Sequence, residues 1–151
     1  MTHIRLATPD DALYVGQRLR QRDVDEVRAA SGLTPEAALS ASLAVSTSAW
    51  VVLDGTPVAV FGVAPIADGI GAPWLLATDA FRAQSRYLMR HSEEYLQRML
   101  GEYPVLMNYV DVRNADSLRY LRRVGFVFTA YEPEFGVERR PFLQFMRTTH
   151  V

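Results

Sequence analysis

One stretch, Ala72 to Phe126, limits what the whole chain can fold into. Ala72 to Thr78 reads as a strand, Asp79 to Leu100 as a helix, Pro104 to Val112 as a strand, and Asn114 to Val124 as a second helix. A long helix between two apolar strands is a crossover, which makes the two strands parallel and the connection right-handed. Asn114 can cap the second helix, with Ser117, Leu118 and Leu121 turned to the sheet. Gly125 permits a left-handed stop before Phe126 returns to the core.

The remaining elements are laid around that unit. Ile4 to Ala7 is a short strand, and Thr8-Pro9-Asp10-Asp11 is a helix start, with a capping hydroxyl, proline in the first turn and acid near the positive end of the dipole. The spacing predicts one helix from there to Ser31-Gly32, carrying Ala12, Val15, Gly16 and Leu19 on one face and turning polar from Arg20 to Arg28. Arg20, Asp23 and Glu26 share a face there, read as a solvated ion-pair surface. Thr34-Pro35-Glu36 starts the next helix, through Leu39, Leu43 and Val45. Trp50 to Leu53 and Thr56 to Val63 form a hairpin on Asp54-Gly55, the pair that suits a type I′ turn. Pro65 to Gly71 reads as a loop, and Phe126 to Ala130 and Phe142 to Arg147 as closing strands around a Pro- and Gly-punctuated segment, Pro133 to Pro141.

Composition excludes several function classes. The chain has 151 residues, 49% of them hydrophobic, enough for a single core and one domain, 1–151, with no repeat or linker. A formal charge of -1 gives no global basic field for nucleic acid. With no cysteine there is no disulfide, thiolate nucleophile or zinc-thiolate centre. His3, His91 and His150 have no metal-binding spacing, so no metal is expected. All 16 basic residues are Arg, for which a coding bias is the simplest cause. No run of about 18 apolar residues and no signal peptide is seen, so a cytoplasmic protein without a membrane partner is expected.

The order of elements, and the segment Asn114-Ala115-Asp116-Ser117-Leu118-Arg119-Tyr120-Leu121-Arg122-Arg123-Val124-Gly125-Phe126, resemble the GNAT N-acetyltransferase superfamily and its Asn-x-x-Ala-x-x-x-Tyr-x-x-x-Gly-Phe pattern. The resemblance implies a mixed α/β fold in three α/β/α layers, with about seven mostly antiparallel strands, a central parallel pair and four helices. Pro73-Trp74-Leu75-Leu76-Ala77-Thr78, the repeated Arg from Arg82 to Arg90, Tyr103-Pro104, Asn108, Val110-Asp111 and Arg113-Asn114 look closest to a phage branch, the internal-virion or core proteins of short-tailed phages and their prophage relatives.

The same resemblance implies acetyl-CoA or CoA as cofactor, bound by Ala77, Thr78, Arg82, Ser85, Arg86, Asn114 and Ser117. It aligns Arg82, Ser85 and Tyr87 with the superfamily's Arg/Gln-x-x-Gly-x-Gly/Ala phosphate loop, so both glycines are replaced. The superfamily's acid Tyr falls at Leu121, and an aliphatic side chain cannot protonate a thiolate. Tyr120, one residue earlier and about 100° around the helix, is the alternative acid. Glu132, Asp79, Glu134 and Asp111 are base candidates. Arg82, Arg86 and Arg90 form a basic stripe, taken as solvated and partly paired with Glu93 or Glu94.

Two functions follow as expectations. One is a phage GNAT-fold protein with degraded or no acetyl transfer, acting in virion core, assembly or protein interaction, with phage structural proteins as partners, in the host cytoplasm or the virion. The other is an acetyl-CoA-dependent N-acetyltransferase with an amine acceptor and an atypical phosphate site. A homodimer is compatible with both. Nucleic acid, resting only on Arg113, Arg119, Arg122 and Arg123, ranks last.

Overall fold

The computed structural model describes residues 1–149, so His150 lies outside the described residues. Its elements run β1 (Thr2–Leu6), α1 (Pro9–Gly16), α2 (Gln21–Ser31), α3 (Pro35–Val45), β2 (Ser48–Asp54), β3 (Thr56–Ala67), β4 (Ile70–Ala77), a 3-10 turn (Asp79–Gln84), α4 (Ser85–Glu102), β5 (Val105–Asp111), α5 (Ala115–Arg123), β6 (Val127–Phe135) and β7 (Arg140–Thr148). The strands form one sheet in the order β1-β2-β3-β4-β5-β7-β6. Among the described residues only β4 and β5 pair in parallel.

Alternation along the central strands makes three layers. Trp50, Val52, Phe61, Ala77, Leu106 and Phe145 bury one face of the sheet against Leu88, Leu96 and Met99 of α4, with Leu118 and Leu121 of α5 packed beside them. Val51, Leu53, Val60 and Leu76 bury the other face against Ala12 and Val15 of α1 and Leu39 of α3. The mixed α/β architecture and the parallel pair are as the sequence indicates.

Five α-helices are present among the described residues rather than four, because the first expected helix is two. The chain leaves α1 at Gly16, where a β-carbon would lie 3.0 Å from the Glu36 Cα. Leu19 then bridges to Thr78, and the Arg20 N–H donates to the Ala77 carbonyl at 2.9 Å. The open edge of β4 thus captures the chain before α2 begins. Two strand boundaries and one turn type also differ. Pro65 to Gly71 is mostly ladder, with β3 and β4 pairing as far as Ala67↔Ile70 around a left-handed Gly69. Only Gly55 has positive φ in the β2–β3 turn, so that turn is not type I′. β6 and β7 extend into the Pro133–Pro141 segment, which an edge strand with an irregularity at Pro133 accommodates.

Candidate functional site: the cleft between β4 and β5

The parallel pair is joined by only two register positions, Ile70↔Val105 and Gly71↔Leu106, before the strands diverge. A cleft of about 980 Å³ fills the gap. The carboxyl end of a parallel pair is where ligands of open α/β sheets usually bind.

Side chains stand in for the missing rungs. Asn108 Nδ2 donates to the Pro73 carbonyl at 2.9 Å, and its Oδ1 accepts the Tyr109 N–H at 2.8 Å. One amide side chain thereby substitutes for a peptide group where the strands part. Further along, two carboxylates three residues apart on α2 each hold one strand. Asp23 Oδ2 accepts the Ala77 N–H of β4 at 3.0 Å and Arg20 Nε at 2.7 Å. Glu26 Oε1 accepts the Asp111 N–H of β5 at 2.9 Å and, more distantly, Asn114 Nδ2 at 3.5 Å.

Arg20, Asp23 and Glu26 are therefore not a solvated surface: Asp23 is 2% exposed, and its carboxyl is pushed up by burial against the pull of Arg20. Burial pushes the Glu26 carboxyl up to about 7, with Asp23 and Asp111 adding to the shift. Glu26 was not among the expected site residues. Its local sequence is polar, and the N–H it serves is 85 residues away.

One stretch of strand edge stays open. Ala77 turns its N–H and C=O to α2, and Pro73 turns its C=O to Asn108. Residues two apart present backbone groups to the same side, so the Leu75 N–H and C=O face the cleft.

The expected site residues divide three ways. Thr78 lines the cleft while Ala77 and Asn114 stand outside its lining, and the polar atoms of all three serve the fold. Thr78 Oγ1 donates to the Val58 carbonyl at 3.3 Å and caps the Ala80 N–H at 3.2 Å, while Asn114 caps α5 through the Ser117 N–H at 3.4 Å. Arg82, Ser85, Arg86, Ser117 and Asp79 line the cleft together. Glu132 does not; it lies exposed on β6 opposite Phe142.

Tyr120 lines the cleft, but its hydroxyl sits 2.6 Å from Ser92 Oγ. Ser92 Oγ donates to the Leu88 carbonyl at 2.6 Å, so the phenol supplies the proton between them. Burial also pushes the phenol above its ordinary value. Leu121, where the resemblance places the acid, packs on the core.

The basic stripe is not paired as expected. Glu93 binds Arg147 and Glu94 binds Arg98, leaving Arg82, Arg86 and Arg90 exposed and without an acid partner among the described residues. The Tyr87 ring stacks along the helix on His91, 4.3 Å between centroids. The first turn of α4 holds no acid, and Gln84 provides no side-chain cap. Opposite, the β6–β7 turn docks on the end of α2, with the Val137 and Glu138 N–H groups donating to the Ala30 and Ala29 carbonyls at 3.3 and 3.1 Å. Gly136 permits this approach: φ is 74°, and a β-carbon would meet the Ala29 oxygen at 2.4 Å. Among the described residues no three His, Asp or Glu side chains gather as a metal would require, and no helix is long and apolar enough to cross a membrane.

A family model described as "Bacteriophage T7, probable scaffold protein Gp13" matches residues 70–133, less than half of the chain. A search of the curated proteins finds no match. Solved structures match along the whole length. The ribosomal-protein-S18-alanine N-acetyltransferase from Escherichia coli has a TM-score of 0.71 at 14% identity, covering 100% of this chain and 96% of that one. YncA, a putative acetyltransferase from Salmonella typhimurium solved with its cofactor acetyl-CoA, has 0.71 at 18%, covering 97% and 93%. The aminoglycoside acetyltransferase AAC(6')-Ib solved with coenzyme A has 0.70 at 14%, covering 99% and 95%. At these identities the likeness is one of fold: the chain folds as the GNAT acetyltransferases do.

Proposed function

We infer that this is a phage or prophage protein that uses the GNAT fold for binding, in the virion core or its assembly, with acetyl transfer degraded or lost. The observation that carries this reading is the proton-donor position. Residues 70–133, which match the phage scaffold family, include Leu121 where an acid is needed, while the neighbouring Tyr120 spends its proton on Ser92. A thiolate leaving group without a nearby acid lacks a contribution of typically 10²–10⁴-fold in rate. The decisive measurement is the protein content of purified particles from a host carrying the gene. The chain is expected to sediment with the particles; its absence from them would sink the particle role.

A second reading, an acetyl-CoA-dependent N-acetyltransferase, is supported by the open strand edge at Leu75. An unpaired N–H and C=O suit the amides of an extended pantetheine arm, and Arg82 and Arg86 suit phosphates through side chains where the loop lacks glycine. Ser85 and Ser117 lie on the same cleft. Bound there, the cofactor would supply the acetyl group and a thiol leaving group. Glu26, with a carboxyl near neutrality, is the base this reading would use for an amine acceptor. Thermal melting with acetyl-CoA tests it: saturation at 100 times the dissociation constant adds about 2.7 kcal/mol. An unmoved melting point at millimolar cofactor removes the enzyme reading, and a rise that Arg86→Ala abolishes supports it.

A further inference from the structure

Glu26 is a partly buried acid on the cleft. Asp11 pairs with Arg5 at 2.7 Å, Asp23 with Arg20 at 2.7 Å and Asp111 with Arg113 at 2.6 Å. Glu26 has no ion pair among the described residues, and both its hydrogen bonds fall on Oε1. Oε2 has no partner among the described residues, and it is not sealed in, since no buried side-chain oxygen among them is left unsatisfied. Glu26 lines the cleft, so this free oxygen is reached from there. Taking a carboxylate out of water without a counter-charge is expensive and is seldom retained without a use.

The walls of the cleft narrow the choice of ligand. Val27, Ala30, Trp74, Tyr109 and Phe135 line the cleft with Glu26, so an apolar stem can run to the Glu26 carboxyl. Lys and Arg side chains have that form, burying methylenes while the charged head finds an anion. Of the arginines on the same cleft, Arg20 is held by Asp23, and Arg22 and Arg119 both pair with Asp116. Arg82, Arg86 and Arg123 have no acid partner among the described residues, and none of them bonds to Glu26. The other carboxyls facing Glu26, Asp23 on its own helix and Asp111 on β5, add to a negative local field.

We propose that the α2 side of the cleft docks a long basic side chain of a partner protein, its ammonium or guanidinium pairing with Glu26 Oε2. This deepens the binding role inferred above and rests on it for the partner, while the site itself stands on Glu26 alone. Docking requires the ionised carboxylate, so it strengthens as pH rises through about 7.

The Asp111 amide reports occupancy directly, because it donates to Glu26. Nuclear magnetic resonance titration of the full chain at pH 8 would use four probes: end-blocked Gly-Lys-Gly, end-blocked Gly-Arg-Gly, the Nε-acetyllysine peptide and n-butylamine. The Lys and Arg peptides are expected to shift the Asp111 amide saturably, and the acetylated peptide to leave it in place. Glu26→Gln, which keeps an acceptor for Asp111, should stay folded, melting no lower than the parent at pH 8, and weaken the basic peptides about tenfold or more. Equal binding by Glu26→Gln or by the acetylated peptide overturns the proposal, as does the absence of any shift. Binding of n-butylamine as tight as the peptides would assign the site to small amines and overturn a partner side chain. Absence from particles would refute the particle role but leave the peptide result standing.

Discussion

A carboxyl group withdrawn from water without a cation holds its proton longer folded than unfolded, and stability then depends on pH with a definite sign. Burial raises Glu26 from 4.5 to about 7, so between those values the folded chain binds more protons than the unfolded chain. Stability from this group is full below about pH 4.5 and is lost as pH rises through about 7. Asp23 shifts in the same direction. Asp11, although burial opposes it, is held low by Arg5 and Thr8, and Glu93 by Arg147 and Gln97; their contributions are instead lost in acid. Maximum stability is expected on the acid side of neutrality. Glu26→Gln should flatten the fall between pH 5 and 8 and exceed the parent above pH 7 by about 3 kcal/mol, from roughly 1.4 kcal/mol per pKa unit. Urea unfolding at pH 5 and 8 checks it, and an unchanged slope would refute the assignment. Tyr120 makes a second residue-scale prediction. Tyr120→Phe removes the proton given to Ser92 and should cost about 1 kcal/mol. Any acetyl transfer by the parent should persist in that variant, and a thousandfold loss would make Tyr120 the acid after all.

At the scale of elements, α2 has a strongly polar sequence and one of the most constrained positions in the fold. Its contacts are with strand edges far along the chain: Asp23 on Ala77, Glu26 on Asp111, and the carbonyls of Ala29 and Ala30 on the β6–β7 turn. Asp23→Ala would leave the Arg20 guanidinium and the Ala77 N–H without their carboxylate. Breaking a buried pair from one side costs about 3–5 kcal/mol, which denaturant midpoints would register. A loss below about 1 kcal/mol would mean that water replaces the carboxylate. This helix also marks where the sequence stops being legible. Caps and periodicity are local, so Thr8, Thr34 and Asn114 were readable as helix starts, and all three accept the expected backbone N–H. The break after Gly16 is set by the β4 edge, and the burial of Asp23 and Glu26 by N–H groups 54 and 85 residues away; neither has a local signal. The Asn114–Phe126 segment was legible as packing, and of the site it borders the sequence indicated Asp79, Arg82, Ser85, Arg86 and Ser117 on the cleft but not Glu26.

For the whole molecule, the consequence is a seven-stranded sheet joined across its middle by two parallel register positions. Its halves, β1–β4 and β5–β7, are held beyond that point by side chains and helices. Asn108 is the first of these fastenings, and its loss exposes how the halves are coupled. Asn108→Ala leaves the Pro73 carbonyl and the Tyr109 N–H without partners, at about 1–3 kcal/mol for each group that water cannot reach. If the cleft opens as a local event, the Tyr109 amide should exchange faster in this variant by more than the global destabilisation explains, while amides of the β5–β7 ladder follow the global value. The Asp111 amide, held by Glu26 one register further along, should accelerate next. Native-state hydrogen exchange at several low denaturant concentrations separates these cases, because local opening does not depend on denaturant and global unfolding does. A uniform loss of protection would mean that the two halves unfold as one body. Protection lost at Tyr109 and Asp111 alone would identify the splayed pair as the part of the fold that can open to admit a ligand.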